Sequence, residues 1–171
     1  MKTSKLIILA ILISAALNGF AQIKIPDTRV SFNFPNQGWK YLETTKVNND
    51  AVVYLYSYSG SYVIDSVGDT IIPFMRIYVR KNYSGTVYDM AYSRFMSQPF
   101  QSLDEYIYDD GSIGYLGAYT NDEDNKDYEF RMVYMKDRNN CIEIRLETSR
   151  DNYDDFDEEF LSILKSVKTG K

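Results

Sequence analysis

Between Cys141 and Val167 the apolar residues change period, and this change narrows the possible folds more than any other feature of the chain. In CIEIRLET, Ile142, Ile144 and Leu146 alternate with Glu143, Arg145 and Glu147, as on a strand with two unlike faces. Immediately afterwards Tyr153, Phe156, Phe160, Ile163, Leu164 and Val167 recur at helical spacing and form one apolar stripe. A strand that leads straight into an amphipathic helix must bury both apolar surfaces. Packing the helix on a sheet does so in one step.

The same helix accounts for the densest acidic run, DNYDDFDEEF at 151–160. Asp154, Asp155, Asp157, Glu158 and Glu159 lie mostly off the stripe and toward its start, while Lys165, Lys168 and Lys171 gather at its end. That polarity complements the helix dipole, each well-placed charge contributing roughly 0.3–1 kcal/mol. A calcium loop would alternate carboxylates around a glycine, and 151–160 contains none. We read the run as a helix start and expect no metal site.

Upstream, the patterns are those of strands. Val30, Phe32 and Phe34 alternate with polar residues until Pro35, Asn36 and Gly38 interrupt them, and Trp39 opens the next extended piece. AVVYLYSYS at 51–59 is β-branched and aromatic throughout. YVIDSVGDTIIPFMRIYVRK reads as one long hairpin turning at 66–69, with Met75, Ile77 and Val79 buried on its second arm. Thr86 and Asp89 form a capping box before Val87, Met90, Ala91 and Phe95, so a helix is expected there, ending at Pro99. LDEYIY then turns at Asp109, Asp110 and Gly111 into SIGYLGAYT, and an acidic loop leads through YEFRMVYMK to a turn at 137–140. Strands, a helix, a strand meander and a closing helix make an α+β domain: a mainly antiparallel sheet of six to seven strands with helices on its faces.

The first residues, MKTSKLIILAILISAALNGFAQ, have a basic start, an apolar run, and small residues at Gly19 and Ala21. We expect a signal peptide over 1–21, cleavage before Gln22, and a single domain over 22–171. The apolar run is short for a membrane span, so no span is expected after cleavage. Loss of Lys2 and Lys5 moves the formal charge from −5 to −7, which disfavours nucleic acid as a partner. An exported chain would reside in the periplasm or outside the cell. Cys141 is the only cysteine, so the core must hold the domain without an intrachain disulfide.

VSFNFPNQGW, the PFMRIYV strand followed by a helix, and the closing CIEIRLET with FLSILKSVK resemble the Mog1/PsbP-like domains. The resemblance covers essentially all of 22–171 and implies an α/β/α sandwich of the PsbP-like and DcrB-like exported proteins. It implies binding or accessory roles without catalysis. It carries over no functional residue.

The chain has no histidine, which removes the usual general base and the commonest metal ligand. Cys141, at a strand start, reads as a small structural residue, and Ser112 lacks the glycines of a nucleophile elbow. We therefore expect no enzyme and no cofactor. In the loop at 121–127, Asp122 and Asp124 alternate as calcium ligands would, but Lys126 stands where a third oxygen should be, leaving a solvated loop or a weak cation site. The load of 16 tyrosines leaves two readings open. Tyr54, Tyr56 and Tyr58 on one strand, and Tyr115 and Tyr119 on another, lie under helices or form an exposed platform for a partner. The expected function is a protein-partner module of the cell envelope. The alternative is a small-ligand or glycan binder using a helix–sheet pocket or a tyrosine-rich face.

Overall fold

The computed structural model describes residues 22–59, 63–64, 68, 70–97 and 100–170. The expected leader, the 66–69 turn apart from Gly68, and Pro99 lie outside those residues. The chain begins with β1 (Ile23–Lys24) and β2 (Val30–Phe32), then the hairpin of β3 (Trp39–Asn48) and β4 (Ala51–Tyr58). The short β5 (Val63–Ile64) and β6 (Thr70–Ile71) precede β7 (Phe74–Arg80) and helix α1 (Val87–Phe95). A meander follows: β8 (Ser102–Ile107), β9 (Ile113–Asn121), β10 (Lys126–Asp137) and β11 (Asn140–Ser149). Helix α2 (Arg150–Ser166) and β12 (Lys168–Thr169) close the chain.

Seven strands form the main sheet in the order β3-β4-β7-β11-β10-β9-β8, every neighbouring pair antiparallel. After β7 the chain crosses the sheet by way of α1 to its far edge, then returns strand by strand until β11 docks beside β7. The last strand is thus the central one. This topology explains why β11 is buried on both faces, whereas β8 and β3 are left as the two edges.

One face is covered by α2 and a small sheet, β1-β2-β12. Ile142, Ile144 and Leu146 meet Tyr153, Phe156, Phe160 and Ile163 of the helix, Val30 and Phe32 of the small sheet, and Phe34 just beyond it. Each such aromatic or aliphatic side chain contributes roughly 1.5–3 kcal/mol on burial. The acidic run also fastens the helix. Asp157 takes two hydrogen bonds from Arg131 at 2.6 and 2.8 Å, and Glu159 accepts the Trp39 indole N–H at 2.5 Å and Asn36 at 2.8 Å. The other face is covered by α1, whose Val87, Met90 and Ala91 pack on Ile113, Tyr115, Met132 and Tyr134. The expected capping box is present: Thr86 Oγ1 accepts the Asp89 N–H, and Asp89 accepts the Thr86 N–H.

One expectation is corrected. The segment before β7 is not the first arm of a long hairpin. Among the described residues β5 and β6 pair with each other across the expected turn and no further, and β7 pairs with β4 and β11. Pro73 has no N–H with which to continue a ladder from β6, and its carbonyl instead accepts the Tyr58 N–H at 2.8 Å, which starts the β4–β7 register. Met75, Ile77 and Val79 are fully buried, as expected of that strand.

Candidate partner-binding surface

The tyrosines singled out in the sequence lie mostly inside. Tyr54 and Tyr56 are 7% and 6% exposed beneath the small sheet, with Tyr56 edge-on to Phe32 and Phe34. Tyr58 is half-buried between Trp39 and Phe156, with ring centroids at 5.6 and 5.1 Å. Tyr115 is buried against Phe95, and its hydroxyl donates to Glu105 at 2.8 Å. Tyr119 is half-buried, stacked on Tyr128 and capped by the Arg145 guanidinium 4.7 Å from its centroid. Burial raises the pKa of both Tyr115 and Tyr119, with the Glu105 and Glu147 carboxylates adding to the effect. Alternation placed Tyr54, Tyr56 and Tyr58 on one face of the sheet and Tyr115 and Tyr119 on the other, and a covering layer closed over each group.

Exposed aromatics lie at both edges of the sheet: Tyr41, 54% exposed, with Leu42 and Val47 on β3, and a larger group around β8. Among the described residues Leu103, Tyr106 and Ile107 of β8, Tyr108 just beyond it, and Tyr88, Tyr92 and Met96 on or beside α1 are all exposed, Ile107 and Tyr92 each to 67%. Nothing pairs with the outer side of β8 among the described residues. Tyr108 N–H donates to the Ser112 carbonyl at 3.0 Å, and the register continues unbroken through Tyr106–Gly114 and Asp104–Leu116. In an antiparallel ladder these alternate residues bond to β9. Leu103, Glu105 and Ile107 therefore turn their N–H and C=O groups outward.

The opposite edge differs. β3 is also exposed along its length beyond Trp39, but it carries Lys40 and Lys46 and two irregularities, between Tyr41 and Glu43 and between Lys46 and Asn48. Lysines and bulges are the usual protections of an edge against strand addition. β8 has neither. Residues 101–112 contain no lysine, arginine or proline.

Next to β8, on the α2 side, lies a groove of about 430 Å³. Val133, Met135, Leu161, Leu164 and Val167 line it, with Asp109, Asp110 and Lys165 also contributing. Gly114 makes room for its wall, since a Cβ there would come within 2.7 Å of the Tyr108 ring. Asp110 accepts both the backbone N–H and the hydroxyl of Ser112, which hold its carboxyl below the usual range and close the turn at Gly111, where φ is 79°. The loop at 121–127 is similarly self-satisfied: Asp124 accepts the Lys126 N–H at 3.1 Å and the Tyr128 hydroxyl at 2.8 Å. No cluster of three or more metal-ligating side chains occurs among the described residues.

On the face of β11 that looks toward α1 lies a charged group whose burial the sequence did not indicate. Glu143, Arg145 and Glu147 face away from α2, as alternation requires, yet each is no more than 2% exposed. Glu143 accepts from Tyr134 at 2.9 Å, Arg94 at 3.1 Å and Arg76 at 3.3 Å. Burial alone would raise its pKa, but Arg76 and Arg94 outweigh it and hold the carboxyl below its usual range. Arg145 pairs with Glu147 and lies 4.5 Å from the Phe130 centroid. Glu147 is raised, its burial outweighing Arg145 and Arg76. Through Arg94 and Glu143 the group ties α1 to the central strand.

With this geometry in place, comparison with known proteins gives the fold. No protein-family model matches the chain, and no curated protein is significantly similar to it. Among solved structures it is similar to cyanobacterial PsbP (CyanoP) from Synechocystis sp. PCC 6803, with a TM-score of 0.50 and 13% identity, covering 88% of this chain and 92% of that one. It is similar to LpqN, involved in cell envelope biogenesis of Mycobacterium tuberculosis, with a TM-score of 0.50 and 11% identity, covering 86% and 88%. A protein of unknown function from Pseudomonas aeruginosa gives 0.50 and 9%, covering 88% and 97%. The chain has a PsbP/Mog1-like α+β sandwich fold. No described helix is long and apolar enough to cross a membrane.

Proposed function

We propose that this is an exported, non-catalytic accessory protein of the cell envelope that engages a protein partner along β8. The observation that carries the reading is the unpaired edge: outward backbone groups at Leu103, Glu105 and Ile107, with exposed apolar side chains on both faces of the strand. An added strand would gain main-chain hydrogen bonds from the edge and side-chain contacts from Tyr88, Tyr106 and Ile107, the usual division between affinity and specificity in strand addition. The envelope setting draws support from the leader-like 1–21 segment and from LpqN, whose own role is in envelope biogenesis. The lack of histidine and the burial of Cys141 support a role without catalysis. The test is capture from envelope extract by the wild type and by Ile107→Pro, which removes an outward donor and leaves the inward hydrogen bonds to β9. Loss of a specific partner is expected; identical recovery contradicts the reading. Mass spectrometry of the exported protein should show Gln22 at its N-terminus.

The groove beside α2 supports a second reading, a site for a small amphiphile, since its volume and apolar lining suit one. A thermal-shift screen of fatty acids, glycans and aromatic acids tests it. Stabilisation that disappears in Leu164→Trp supports this reading, and no stabilisation by any of them contradicts it.

A further inference from the structure

We infer that the partner at β8 is an extended segment with two adjacent basic residues flanked by apolar ones, and that it is not a second copy of this chain. The inference rests on the β8 reading and deepens it. Along the strand, Leu103-Asp104-Glu105-Tyr106-Ile107 places two acids between apolar side chains, and all five residues are exposed. Asp104 and Tyr106 point to the α2 face; Leu103, Glu105 and Ile107 point to the α1 face, where the Tyr88 and Tyr115 hydroxyls donate to Glu105. Asp109 and Asp110 follow in the turn, and no basic residue lies anywhere in 101–112. Residues directly opposite on neighbouring strands interact most strongly, and like charges there are destabilising. The complementary strand therefore sets lysine or arginine against Asp104 and Glu105 and apolar residues against Leu103, Tyr106 and Ile107.

The same geometry disfavours self-association. Only Leu103, Glu105 and Ile107 turn their backbone groups outward, so a two-fold antiparallel pair must match these residues with one another. The two registers that keep most of β8 paired are centred on Asp104 or on Glu105. The first sets Asp104 against its own copy, and the second sets Glu105 against its own. Either brings like carboxylates together at the centre of the pair, between chains that are each net acidic.

The test uses the full chain and two capped, fluorescent peptides. One has a Lys-Lys pair flanked by valine and threonine; its twin has Glu-Glu in place of the lysines. Fluorescence polarisation is read at low and high salt for the wild type, Ile107→Pro and the double variant Asp104→Lys/Asp109→Lys. The lysine peptide is expected to bind the wild type roughly tenfold more tightly than its twin, with the difference shrinking as salt rises. It should lose that binding to Ile107→Pro, and the double variant, which keeps Glu105 and Asp110, should bind the two twins alike. Binding of both twins alike by the wild type, lost in Ile107→Pro, would overturn the charge assignment and leave the edge reading standing. Binding unaffected by Ile107→Pro, or no binding of either twin up to millimolar concentration, would overturn both. Sedimentation of the wild type should show a monomer; a dimer dispersed by Ile107→Pro would overturn the exclusion of a second copy.

Discussion

The Tyr134 hydroxyl donates to Glu143 at 2.9 Å beneath α1, at a point on the central strand where Arg94 reaches down from the helix and Arg76 reaches across from β7. One carboxylate therefore links three elements of the fold. Removing it by Glu143→Ala leaves two arginines facing a buried site without their counter-charge, and the expected loss is about 3–5 kcal/mol in urea-unfolding experiments. Replacing Arg76, which is a quarter exposed at its side chain, should cost less.

The pH dependence of stability follows from the same residue. The folded-state pKa of Glu143 is lowered, so its contribution is fully present above the ordinary glutamate value of about 4.3 and is lost as pH falls through the folded value. Asp157, lowered chiefly by Arg131, behaves in the same way. Wild-type unfolding midpoints should therefore fall steeply below about pH 4. Glu143→Gln should start lower at neutral pH and decline less, which thermal melts from pH 3 to 7 would show. An equally steep decline in the variant would contradict the assignment.

Trp39 and Glu159 join the start of the main sheet to α2 through one short hydrogen bond, and the Trp39 ring stacks on Phe34 at 5.3 Å. Glu159→Ala would strand a largely buried indole N–H and should cost about 1–3 kcal/mol. Because Trp39 is the only tryptophan, its emission reports the change directly. A variant of unchanged stability would show that the contact is dispensable.

Cys141 is fully buried at the start of β11, and burial pushes its thiol up to about 11. The folded protein should resist a thiol reagent at pH 8 and react at the rate of unfolding when denaturant is added. Rapid labelling of the native protein would contradict this placement.

The tyrosines divide into two groups by the same logic. Tyr56→Ala, in the core, should cost about 3–5 kcal/mol, comparable to other large aromatic deletions. Tyr106→Ala, on the exposed edge, should lie within about 0.5 kcal/mol of wild type. Chemical denaturation of the two variants measures both.

These contrasts show what was legible in the sequence. The capping box at Thr86, the stripe from Tyr153 to Val167 and the two faces of β11 could be read directly, because each depends on residues near one another in the chain. An α+β domain followed from their order, and the sandwich from the resemblance to Mog1/PsbP-like domains. Strand neighbours did not: that β7 pairs with β4 and β11, and that β8 is an edge, depends on where the crossover through α1 lands, which no local pattern encodes. Tyr56 and Tyr106 are alike in sequence context and opposite in exposure for that reason. The burial of Glu143, Arg145 and Glu147 was hidden in the same way. Alternating charges ordinarily mark a solvated face; the central position of β11 instead sets Glu143 beside Arg94 of α1 and Arg145 among Phe100, Tyr119 and Phe130.

The central claim is that β8 is an open edge built to accept a strand, and residue-resolved amide exchange tests it most directly. In the free chain the Leu103, Glu105 and Ile107 amides should exchange quickly while those of Asp104 and Tyr106 are protected by β9. Adding the lysine-bearing peptide should slow the first three and leave the others as they were. If Leu103, Glu105 and Ile107 are already protected without a partner, or if the peptide slows β3 or the α2 groove instead, the account of β8 as the docking edge is wrong.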